Sequence, residues 1–168
     1  MKKGISVIAI TFMVLSSTCD LNAGGPNAKA VEYHHALDLC FRHVADHAIA
    51  LFDQVSSGEI NREITDDFVE QMVRDLDRAR VYNVTTYSSC SEIEAKMTSD
   101  DRRAILGGHA TAVSAIRTLS EELQKQGPDL QVIKTLTAVI IEGVNRAADA
   151  HRDAMKKLGI AETKGPGV

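Results

Sequence analysis

Four stretches of this chain repeat apolar residues at steps of three and four, and that spacing leaves little room for any fold but a helical one. Leu37, Cys40, Phe41, Val44, Ala48, Leu51 and Val55 mark the first stretch, and Ile64, Phe68, Val69, Met72, Leu76 and Ala79 the second. Ile105, Ala112, Ile116, Leu119 and Leu123 mark the third, and Ile133, Ile140, Val144, Ala147 and Ala154 the fourth. At 3.6 residues per turn each set falls on one stripe of a helix, whereas a strand needs a period of two. Helices are therefore predicted over 31–54, 61–83, 101–125 and 130–158. The aromatic fraction of 4% and the absence of tryptophan point the same way, because strands favour aromatic and β-branched residues.

The breaks between stripes set the connections. Ser56-Ser57-Gly58 stops the first helix, and Gly127-Pro128-Asp129 makes a turn before the last. Val81 to Tyr87 gathers valine, threonine and tyrosine, which weaken helix, so it reads as a fraying end followed by a loop. Ser89-Cys90-Ser91-Glu92 has capping-box spacing and predicts a short helix to about Met97, with Thr98-Ser99-Asp100-Asp101 capping the next long one. The expected fold is all-α: an up-down-up-down four-helix bundle over 31–158, with a short extra helix between helices 2 and 3 and a flexible tail over 159–168.

The first two dozen residues do not fit that pattern. Met1-Lys2-Lys3 is followed by a largely apolar run from Ile5 to Leu15 and then by small and polar residues to Ala23. This is the layout of a secretory signal peptide, here 1–23, and the run is too short for the ~20 residues that span a bilayer. The reading implies an exported protein, periplasmic or secreted, with no transmembrane segment after processing. Cys19 offers the alternative of a lipid anchor, although Leu15 and Thr18 depart from the usual lipoprotein spacing. Export also implies an oxidising compartment, where Cys40 and Cys90 are expected to form a disulfide. The alternative roles for Cys40 are a core thiol or a metal ligand.

The formal net charge of -4 argues against a nucleic-acid partner. The chemistry that remains lies in the histidines. His109 and His151 fall within the apolar stripes of their helices, Cys40 lies inside the first stripe and His34 at its border. Counting back from the turns at ~1.5 Å per residue puts all four near one end of the bundle, with Asp75 at a similar level. A core imidazole must satisfy two ring nitrogens, and coordination is one way to do so. The leading expectation is thus a transition-metal site (Zn, Cu, Ni or Fe) made by His109 and His151, with His34 or Cys40 assisting. Gly107-Gly108 beside His109 suits close approach of either a ligand or a facing helix. His43 and His47 form an i,i+4 pair that makes a weaker, surface site.

Two other readings stand beside it. The histidines are hydrogen-bonded packing residues of a bundle that carries no prosthetic group and works by interaction or as a structural part. Alternatively, haem b sits between His34 or Cys40 and His151. There is no C-x-x-C-H for covalent haem, no paired Glu-x-x-His for a di-iron site, no phosphate loop and no G-x-S-x-G elbow. The expected role is accordingly binding, sensing or storage, not catalysis.

Overall fold

A computed structural model describes residues 28–58 and 60–161; the signal peptide, Cys19 and most of the tail read from the sequence lie outside them. The described chain is all helical, with no strand among the described residues. Its elements are α1 (Ala28–Ser56), α2 (Arg62–Ser88), α3 (Glu92–Met97), α4 (Ser99–Leu123) and α5 (Leu130–Lys157). No helix of these residues is long and apolar enough to cross a membrane.

Local chemistry explains most of the boundaries. Gly58 follows α1 at φ 83, a left-handed conformation that glycine adopts without a Cβ clash. The Asn61 side chain accepts from Ile64 N at 3.3 Å and opens α2. Asp129 does the same for α5, accepting from Gln131 N at 2.8 Å and Val132 N at 3.3 Å. Gly159 ends the last helix at φ 70.

Two sequence expectations need correction here. Helix α2 does not fray at Asn83 but continues to Ser88. Thr86 and Tyr87 are buried, and Tyr87 is only 3% exposed. Burying a ring of that size gains about 2 kcal/mol, more than the few tenths per residue by which Val, Thr and Tyr disfavour helix. The capping box is also shifted by two residues. It is Ser91 and Glu94 that cap each other, Ser91 N donating to Glu94 Oε2 at 2.7 Å and Glu94 N to Ser91 Oγ at 3.3 Å. Ser89 instead closes α2, its hydroxyl donating to Thr86 O at 2.9 Å.

The packing partners are unequal. Helix α1 lies against α2 and α5, and α5 against α4, while α2 and α4 touch only sparsely. The α4–α5 seam is the tightest: a Cβ on Gly108 would lie 2.4 Å from Gly143 O, so only glycine permits this backbone contact. The core is built from the stripes read from the sequence, with Leu37, Leu51, Met72, Leu119, Ile133 and Ile140 all fully buried, whereas Ile64, expected on the α2 stripe, is exposed. Lys157 Nζ meets Asp101 Oδ2 at 2.6 Å, which ties the end of α5 to the start of α4. At the other end Arg62 Nη2 donates to Lys125 O at 2.8 Å.

Candidate functional site

The start of α1 and the ends of α2 and α5 bring His34, Tyr87 and His151 into one buried cluster. His34 is 1% exposed and His151 0%. Their rings stack with centroids 5.1 Å apart and planes 19° from parallel. The Tyr87 ring stands edge-on to both, 5.7 Å from His34 and 6.5 Å from His151.

Hydrogen bonds fix the tautomer of His151. Its Nε2 lies 3.0 Å from the carbonyl oxygen of His34. A carbonyl can only accept, so Nε2 carries the proton and donates. That leaves Nδ1 as a lone pair, 3.4 Å from the Tyr87 hydroxyl, which donates to it. Burial pushes the Tyr87 phenol up from its ordinary value, so the hydroxyl keeps its proton.

Both imidazoles are held neutral. Burial, with the neighbouring His151 adding to it, lowers His34 to about 3. Burial also lowers His151, against an opposing pull from its bond to His34 O and from Asp38. The Asp38 carboxylate is itself gripped by Arg42 Nη2 at 2.5 Å. The Arg102 guanidinium lies over the Tyr87 ring, 4.8 Å from its centroid.

The structure does not gather the four expected ligands. His109 is half-buried, not deep in the core, and its Nε2–H donates to Leu76 O on α2 at 2.9 Å. His151 meets α2 at Tyr87, ~16 Å further along the helix at 1.5 Å per residue. The reason is the rotation of α4, which turns Gly108 and Ala112 onto Gly143 and Ala147 of α5 and leaves His109 to α2. Cys40 is buried close to Asp75, and burial followed by that carboxylate raises its thiol to about 11. It is therefore a protonated thiol at neutral pH, a poor ligand and a poor nucleophile.

The expected Cys40–Cys90 disulfide is not made: both are free thiols. Cys40 senses Asp75 and Arg78 on α2, whereas Cys90 lies beyond the end of that helix, with Sγ 3.6 Å from Thr86 O. Roughly 15 Å of helix separates the two levels, against the ~7 Å between Cα atoms that a disulfide tolerates. His43 and His47 also part company. His43 Nδ1 lies 3.7 Å from the buried Asp75 carboxylate, and the His47 ring leans on Phe68 at 5.5 Å. Among the described residues no three His, Cys, Asp or Glu side chains are grouped to hold a metal ion.

Tyr87 is the member of the cluster that the sequence did not give up, because the weak helix formers around it assigned it to a loop. The signal present was its position, four residues beyond Asn83 on the continued α2 stripe of Met72, Leu76, Ala79 and Asn83.

Comparison with known protein families, with curated proteins and with solved structures found no match to this chain.

Proposed function

We propose that this is an exported, up-down-up-down helical bundle that carries no prosthetic group and acts through its surface, as an interaction or structural module. The observation that carries the reading is the engagement of the His151 and His109 imidazoles by the protein itself. Both ring nitrogens of His151 already have partners in His34 O and Tyr87 Oη, and His109 Nε2 has one in Leu76 O. Coordination would have to displace bonds that the fold supplies, in an interior where an unmade hydrogen bond costs about 1–3 kcal/mol.

Further support comes from the ends that meet. Contacts of His34 with His151 and of Lys157 with Asp101 suit antiparallel α1–α5 and α4–α5 pairs. The grooves on the surface also favour a non-catalytic role. One is lined by Gln54, Ser57, Ile60, Asn61 and Arg62, another by Ala110, Thr111, Ser114, Ala115, Thr118, Leu136 and Val139. Neither set contains a carboxylate, histidine or cysteine from which acid–base or nucleophilic chemistry is usually built.

The test is metal analysis and isothermal titration with Zn, Cu, Ni and Fe salts on the mature protein and on His109→Ala/His151→Ala. The reading expects no stoichiometric uptake by the unaltered protein and no Soret band after haem addition. Uptake of one equivalent that the double variant loses would return the site to a metal centre.

A further inference from the structure

Polar groups without partners are concentrated at one end of the bundle. Among the described residues five buried side-chain atoms have no hydrogen-bond partner: His34 Nδ1, His35 Nδ1, Asp38 Oδ1, Asn83 Oδ1 and Thr86 Oγ1. All five lie on the first three turns of α1 or the last two turns of α2. Native interiors satisfy nearly all such atoms, and a cluster of exceptions marks stored cost. The same end holds the stacked His34–His151 pair and the Tyr87 hydroxyl.

We propose that this end is an acid-operated latch: proton uptake at the His34–His151 pair parts the start of α1 and the end of α2 from the end of α5, while the α4–α5 seam stays closed. The closed arrangement holds an extra proton at a cost. A proton on His151 Nδ1 would turn that nitrogen into a donor, and the Tyr87 hydroxyl would have to accept from it and swing its own proton away from the acceptor it now has. His34 Nδ1 makes no hydrogen bond in the closed arrangement. Two imidazolium rings 5.1 Å apart would repel each other in a water-poor interior.

The surrounding charges do not relieve this. From α1, Asp38 favours the proton on His151, but its Oδ2 is held by Arg42 and its Oδ1 bonds neither ring, and His35 opposes the proton. From α2 the facing groups are Tyr87 and, just past the helix end, the Cys90 thiol, both neutral. From α4, Arg102 brings positive charge over Tyr87, and Asp101 is tied to Lys157. From α5, Arg152 opposes protonation of His151 while it pairs with Asp149. Opening lets water take the proton, so the open form gains as pH falls below the ordinary histidine range. The α4–α5 seam is held separately, through the Gly108–Gly143 contact.

Amide hydrogen exchange on the intact chain at pH 7.5 and 5.0, corrected for intrinsic rates, tests the latch. Each histidine protonated only in the open form raises opening roughly thirtyfold at pH 5.0. Protection over 34–38 and 83–87 should therefore fall by at least that factor more than protection over 119–123 and 133–137 at the opposite end. His34→Phe/His151→Gln should abolish the difference. If the double variant does not fold, His34→Phe alone decides, since it keeps a stacked ring and deletes an unpartnered nitrogen; it should lose less protection than the unaltered chain on acidification. Equal loss at both ends, or the same end-specific loss in these variants, overturns the proposal.

Discussion

Lowering the pH from 7.5 to 5.0 should destabilise this protein through its two buried histidines, and the size of the effect can be worked out. In the unfolded chain each histidine titrates near 6.5. In the folded chain His34 titrates at about 3, and His151 is lowered by burial as well. Between these values the unfolded state binds more protons than the folded state, so stability is fully present above pH 6.5 and falls as the pH drops towards 3. Each pH unit in that window costs about 1.4 kcal/mol per histidine. At pH 5.0 His34 alone therefore removes about 2 kcal/mol, and His151 acts in the same direction. Against a domain stability of roughly 5–15 kcal/mol that is a large fraction. Urea unfolding followed by far-UV circular dichroism measures it as a lower midpoint at unchanged slope. The His34→Phe variant should lose about 2 kcal/mol less than the unaltered protein over the same pH change. Equal losses in the two proteins would mean that the acid sensitivity arises elsewhere than at His34.

Three further outcomes are expected. Gly108→Ala forces a methyl to within 2.4 Å of Gly143 O, and because backbone cannot yield as a side chain can, the cost should reach about 3 kcal/mol, seen as a lower melting temperature. Asp129→Ala removes the side chain that accepts from Gln131 N and Val132 N, and should cost about 1 kcal/mol by the same assay. Cys40 and Cys90 should both be alkylated in urea without prior reduction, with Cys40 protected in the native state by its burial; a requirement for reductant would show a disulfide.

The helices were legible because burial imposes a period that composition cannot hide: apart from the exposed Ile64 near the start of α2, the residues spaced along each stripe pack into the core or against it. His151 was legible for the same reason, being in phase with Val144, Ala147 and Ala154. His109 was not, since phase within one helix does not say which neighbour each flank meets. The close contact of Gly108 with Gly143 rotates α4 so that the imidazole reaches Leu76 O on α2. Tyr87 was missed because local propensity argued for a loop, and only tertiary burial against His34 and His151 holds it in helix. The disulfide expectation came from compartment and count, which carry no information on the length of α2 that separates Cys40 from Cys90.

The protein itself occupies both ring nitrogens of its deepest histidine. Long-range ¹H–¹⁵N NMR on the histidine rings reads this directly. His151 should be a neutral ring protonated at Nε2 and bare at Nδ1 at pH 7.5, unchanged by one equivalent of zinc. A ring protonated at Nδ1, or ¹⁵N shifts at His151 that move on zinc addition, would contradict it.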